Sequence, residues 1–102
     1  MSYLPPSLEG NLPTMIEHAV KALAIMDSFD NPYLSAPVIA REGDMPLHSL
    51  ETILARLRKA GLLESRPGAL YGGYRRIRTT TIAELYEILM PSRKAYWSRG
   101  VL

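Results

Sequence analysis

Leu47-His48-Ser49-Leu50-Glu51-Thr52-Ile53-Leu54-Ala55-Arg56-Leu57-Arg58-Lys59-Ala60-Gly61, opened by Pro46 and followed by Leu62 through Arg78, is the stretch that decides the fold. Leu50, Ile53, Leu54 and Leu57 recur at spacings of three and four, which places them on one face of a helix over about 47–60. The opposite face carries His48, Thr52, Ala55 and Lys59, flanked by Ser49, Glu51 and Arg56. This face is polar and mixed in character, unlike the uniformly charged face of an inert surface helix. Gly61 directly after the last periodic residue predicts a left-handed stop. Leu62-Leu63-Glu64-Ser65-Arg66 then reads as a strand, Pro67-Gly68 as a turn signal, and Tyr74-Arg75-Arg76-Ile77-Arg78 after Gly72-Gly73 as a returning strand. Arg66, Arg75, Arg76 and Arg78 lie in this hairpin with no acid between them. A helix with a readable outer face, followed at once by a basic hairpin, is the plan of a winged helix-turn-helix: mainly α, with one small β-hairpin.

Working outward, Thr14 and Glu17 have the spacing of a capping box, and Ile16, Ala19, Val20, Leu23 and Ala24 form a stripe reaching about Asp27. Asp30-Asn31-Pro32 breaks the chain. Ser35 suits an N-cap, Pro37 a first turn, and Val38 through Glu42 a short helix ended by Gly43-Asp44. Thr81 and Glu84 form a second capping box ahead of Ile82, Leu85, Ile88 and Leu89, and this helix stops before Pro91. Three parts are therefore expected: an extended arm over 1–12, the winged domain over 13–90, and a basic aromatic tail over 91–102.

Composition bounds what such a chain does. With 102 residues, 47% of them hydrophobic and 22% charged, it suits one soluble domain with one core. Neither an apolar run of the ~18 residues that cross a bilayer nor a secretory leader is legible, so a cytoplasmic protein is expected. The absence of cysteine excludes disulfides and thiol ligands within these residues. Charge is unevenly spread, with Lys21 against four acids through residue 40, then eleven bases against six acids from residue 41 onward. The cationic half is the half with the helix and hairpin, which favours turning one face toward a polyanion.

Three segments resemble the signatures of the Rrf-two family of bacterial winged-helix regulators, which includes the iron–sulfur cluster regulator and the nitrite-sensitive repressor. They are Glu17-His18-Ala19-Val20-Lys21-Ala22-Leu23-Ala24, Leu50 through Leu62, and Gly72-Gly73-Tyr74-Arg75. The resemblance covers about 14–89. It implies that the helix equivalent to 47–60 reads operator DNA and that the wing, about 62–78, touches backbone and minor groove. Two departures stand out. The sensory cysteines that the family carries beyond the wing have no counterpart, and a short tail from Pro91 to Leu102 stands where the long dimerisation helix is expected.

Double-stranded DNA is thus the expected partner, with the protein acting as a repressor and a homodimer. His48, Ser49 and Thr52 are the candidates for base contact, because the N-terminal residues of a recognition helix reach the groove. Arg56, Lys59, Arg66, Arg75, Arg76 and Arg78 are the candidates for phosphate, and Tyr71 is expected beside the DNA, whereas Tyr74 is expected to cover the core. A strand's alternation puts Arg76 and Arg78 on one face and Arg75 on the other. No catalytic, cofactor or metal site is legible: only His18 and His48 are present, and there is no nucleophile motif or phosphate loop. The competing expectation is a winged-helix adaptor for another protein, with Glu51 and Glu64 opposing DNA.

The tail sets the first prediction. Tyr96 and Trp97 stand among Arg93, Lys94 and Arg99, and burying each aromatic would contribute about 2–3 kcal/mol to a dimer contact. Sedimentation should give a dimer with blue-shifted emission from Trp97, and cutting the chain after Pro91 should dissociate it. A truncated chain that still sediments as a dimer would remove the tail from the interface.

Overall fold

The computed structural model describes residues 12–90; the tail over 91–102, and the arm apart from Leu12, lie outside the described residues. Four helices and one hairpin follow in the order α1 (Thr14–Ser28), α2 (Ala36–Gly43), α3 (Leu47–Lys59), β1 (Leu63–Arg66), β2 (Gly73–Arg76) and α4 (Ile82–Leu89). The core is assembled from one stripe of each helix together with the start of the wing. Ile16, Ala19 and Leu23 of α1 meet Ile39 of α2, Leu50, Ile53, Leu54 and Leu57 of α3, Leu62 and Leu63, and Leu85 and Leu89 of α4. No polar or charged residue is buried among the described residues. Apolar burial is the dominant favourable term in folding, and here the core has no polar group to offset it.

Local chemistry explains each boundary. The Ser35 hydroxyl accepts from Val38 N–H at 3.4 Å to open α2, with Pro37 in the first turn, where a missing N–H costs nothing. Asp44 ends the helix in the left-handed region, at φ 54°, and Met45 N–H donates back to the Ala40 carbonyl at 2.9 Å, making the tight turn into α3. At the far end of α3, Gly61 takes φ 85°. Its N–H donates to the Arg58 carbonyl and that of Leu62 donates to the Leu57 carbonyl, both at 3.0 Å, which is the Schellman pattern. Thr81 caps α4 by accepting from Glu84 N–H at 3.1 Å, which is one half of the expected capping box; the Glu84 carboxylate accepts instead from Arg78 and Thr80.

Three expectations need correction. Thr14 is the first helical residue of α1 and caps nothing; the cap position falls on Pro13, whose carbonyl accepts from Glu17 N–H at 3.0 Å. Pro13 is extended, with ψ 145°, so the helix starts one residue earlier than the Thr14–Glu17 spacing implied. The returning strand is Gly73–Arg76 and not 74–78, and Arg78 lies outside it, so Arg76 and Arg78 are not two residues of one strand face. The chain leaves the ladder at Ile77, whose N–H makes a last bond to the Leu62 carbonyl at 2.9 Å before turning toward α4. The segment after Pro32 is also more than a break. Leu34 pairs with Tyr74 through both backbone bonds, 3.0 and 2.7 Å, a single antiparallel bridge that anchors the wing to the body.

The hairpin pairs Leu63 with Arg76, Glu64 with Arg75, Ser65 with Tyr74, and Arg66 with Gly73. Gly73 sits at φ 141°, and a Cβ there would collide with the backbone carbonyl of Leu34. Gly61 has a positive φ too, but open space around it. Gly61→Ala should therefore cost only the left-handed penalty, about 1–2 kcal/mol, whereas Gly73→Ala should cost more because the Leu34–Tyr74 pairing must open as well. Urea unfolding of the two variants checks the order, and equal losses would mean that the Leu34–Tyr74 bridge adds nothing.

Candidate nucleic-acid interface

Because Leu50, Ile53, Leu54 and Leu57 are pulled into the core, the other side of α3 is turned to solvent by helical geometry alone. His48 and Ser49 are exposed in its first turn and Thr52 is half-buried one turn on, with its hydroxyl donating weakly to the His48 carbonyl at 3.4 Å. Arg58 and Lys59 are exposed in the last turn, and neither has an ion-pair partner among the described residues. Arg56 differs. It lies on the flank of the apolar stripe, and its guanidinium donates to the Leu89 carbonyl at 3.2 Å and touches Met15 Sδ at 3.9 Å. A cation on the last carbonyl of α4 serves that helix's negative end, so Arg56 joins α3 to α4.

The wing arginines are brought together with acids that the sequence reading left elsewhere. Arg75 forms an ion pair with Glu64 across the hairpin. Arg76 pairs with Asp27 of α1 at 2.7 Å, and its Nε donates to the Arg78 carbonyl at 3.1 Å. Arg78 pairs with Glu84 of α4 at 2.7 Å. Arg66 stands apart, with no carboxylate partner among the described residues and its guanidinium over the Tyr33 ring, 5.1 Å from the centroid. Arg75 lies 5.4 Å from the same ring, whose hydroxyl donates to Glu64 at 2.8 Å. That bond to a carboxylate holds the Tyr33 phenol above its usual range, with burial and the Glu64 charge adding and the two arginines opposing. Tyr71 and Leu70 project from the wing tip, 79% and 85% exposed, while Tyr74 packs partly buried against the core.

Tyr33 and Asp27 were missed by the sequence reading. Neither belongs to a motif, and their partners lie about thirty to fifty residues downstream, at separations of 31 and 49. The proximity of Tyr33 to a proline break was the one available cue.

Comparison with known proteins settles the family. The family model of Rrf2, described as an iron-dependent transcriptional regulator, matches residues 12–94. The chain belongs to the Rrf2 family. It is a DNA-binding transcriptional regulator by membership, and its relatives are regulators and not enzymes. Among solved structures, this Rrf2 protein is similar to T. potens IscR, with 27% identity and a TM-score of 0.69, covering 87% of this chain and 72% of that one. It also shares its fold with CymR, the global cysteine regulator of B. subtilis, at 23% identity and TM-score 0.67 over 87% of this chain and 81% of that one. CymR of Staphylococcus aureus matches at 23% identity and TM-score 0.62, covering 85% and 81%. A search of curated proteins finds no match.

The iron dependence in the family's description finds no matching donor set among the described residues of this Rrf2 protein. Its 102 residues hold no cysteine, and no group of three His, Asp or Glu side chains converges among the described residues. Thiolates hold iron–sulfur clusters, and carboxylate or imidazole sites need convergent ligands. The residues present do not fit such a group.

The Arg78–Glu84 pair yields a pH prediction. Hydrogen bonds from Arg78 and then Thr80 lower the Glu84 carboxyl from 4.5 to about 2. A carboxyl depressed on folding stabilises above its unfolded pKa and loses that contribution as pH falls through the folded value. Glu84→Gln should therefore melt below wild type at pH 7, and the gap should close between about pH 4.5 and 2. A gap that persists unchanged to pH 2 would show that the ion pair is not its cause.

Proposed function

We propose that this Rrf2 protein is a cytoplasmic, sequence-specific repressor that docks α3 in the major groove as a homodimer. The observation that carries the reading is the free polar face of α3, with His48, Ser49 and Thr52 at its leading end and the uncompensated cations Arg58 and Lys59 behind them. His48, Ser49 and Thr52 read base edges, and Arg58, Lys59 and Arg66 take phosphates. Tyr71 at the wing tip lies along the minor groove. Arg75, Arg76 and Arg78 reach phosphate only by sharing their guanidinium groups with Glu64, Asp27 and Glu84, so their contribution is the shape and attachment of the wing. The pairing of Glu64 with Arg75 and Tyr33 also removes one of the two acids that would oppose DNA. Paired subunits would present two α3 helices to half-sites about one helical turn apart.

Fluorescence polarisation on duplex DNA at several salt concentrations tests the charge assignment. With Arg58, Lys59 and Arg66 as the phosphate ligands, log affinity should fall with log salt at a slope of about −3 per subunit. Lys59→Ala and Arg66→Ala should each reduce the slope by about 1, whereas Arg56→Ala should lower thermal stability and leave the slope unchanged. Salt-insensitive binding would remove DNA as the partner of this face.

Specificity is tested separately. On a site selected from a random pool, His48→Ala with Thr52→Ala should cost about 1–3 kcal/mol and far less on random DNA. Equal weakening on both would reduce these residues to positioning the helix.

A further inference from the structure

Between α1, α4 and the base of the wing lies a cavity of about 260 Å³. Its walls are mainly apolar, with Val20 and Leu23 from α1 and Ile82 and Leu85 from α4; Thr80 and Thr81 line one side, and one end is formed by the Asp27–Arg76 ion pair. A second cavity of about 220 Å³ lies against the same pair, so both charges have open space beside them. Asp27 is 57% exposed and Arg76 21%. One oxygen of Asp27 and one terminal nitrogen of Arg76 bond each other; the remaining carboxylate oxygen and the second terminal nitrogen have no partner among the described residues. Val20 and Ile82, 38% and 45% exposed, leave the apolar wall open to solvent.

We propose that this cavity binds a free apolar α-amino acid, with its carboxylate on Arg76, its ammonium on Asp27 and its side chain against Val20, Leu23, Ile82 and Leu85. The argument is charge complementarity at a site whose own net charge is zero. A simple carboxylate would gain Arg76 and be repelled by Asp27, a simple amine would meet the reverse, and a neutral apolar molecule would leave both spare valences unmet. A zwitterion lying antiparallel to the ion pair satisfies both, and the apolar walls select aliphatic, thioether or aromatic side chains over polar ones. An exposed ion pair contributes little alone, so sharing its charges with a ligand costs the fold little.

Arg76 ends β2 and Asp27 is in the last turn of α1, so an amino acid bound across both reinforces the existing tie between the wing and α1. A wing held more firmly gives up less freedom on docking, and the ligand acts as a corepressor. That coupling rests on the proposed DNA-binding function; binding to the free protein does not.

Calorimetry on the DNA-free protein with L-leucine, L-methionine and L-phenylalanine should show one site per chain for at least one of them, with Kd on the order of 0.1–1 mM. For leucine, 4-methylpentanoate lacks the ammonium and 3-methylbutylamine lacks the carboxylate; each should bind at least tenfold more weakly. Ala24→Trp, which fills the cavity from an exposed position of α1, should abolish binding while the protein keeps its circular dichroism. Absence of heat with all three amino acids at about 10 mM, or equal binding of either analogue, overturns the site. Absence of heat together with self-association that Ala24→Trp blocks would assign the groove to a second copy of the chain. Polarisation on DNA with saturating amino acid should show affinity tightened at least threefold. Unchanged affinity in a protein that binds both ligands overturns the corepressor role alone, and amino acid binding without any DNA binding overturns the proposed function while the site stands.

Discussion

Two backbone hydrogen bonds at the end of α3, from Gly61 to Arg58 and from Leu62 to Leu57, set the geometry on which the rest depends. They turn the chain in the left-handed region, which only glycine enters at no steric cost, and they deliver Leu62 and Leu63 directly into the core. The wing therefore starts at Leu62, a buried, hydrogen-bonded point three residues beyond the last helical residue, with no flexible loop between. The free face of α3 and the basic hairpin keep a fixed mutual orientation, as a surface must if it is to meet groove and backbone together.

The wing is held at its other strand by a different means. Leu34 pairs with Tyr74, Gly73 lets the two backbones approach, and ion pairs run from Arg76 to α1 and from Arg78 to α4. Each of these pairs is partly exposed and contributes little alone. Together with the stacking of Arg66 and Arg75 on Tyr33, they order side chains that would otherwise lose much rotamer freedom on meeting a polyanion. A basic sequence is thus converted into a shaped surface on which some cations are held internally and others, Arg58, Lys59 and Arg66, stand without a carboxylate partner among the described residues.

Arg56 links this surface to the far end of the fold. Its bond to the Leu89 carbonyl ties α3 to the last turn of α4, the point from which the chain continues toward Pro91. Asp27–Arg76 makes the corresponding link between α1 and the wing. Both connections join α3 and the wing to the helices packed behind them.

The elements themselves are determined by the sequence. The three-and-four spacing of Leu50, Ile53, Leu54 and Leu57, the glycine stop at Gly61, and the Ser35 and Thr81 caps each act within a few residues, so the physics that sets them is local and legible, whereas the turn expected at Pro67-Gly68 falls just past it, at 69–71. The same holds for the outward face of α3, because helical periodicity alone separates His48 and Thr52 from the apolar stripe. Tertiary structure alone decided where the long side chains end. Arginine is long and flexible, and its partner is set by which elements pack beside it; Arg56 reaches a carbonyl 33 residues away, and Arg76 a carboxylate 49 residues away. Leu34 bridges to Tyr74 because Gly73 lets the backbones approach, a contact that no pattern of side chains announces. For the same reason the cavity at Asp27 and Arg76, built from two helices and a strand end that are distant in the chain, has no sequence signature at all.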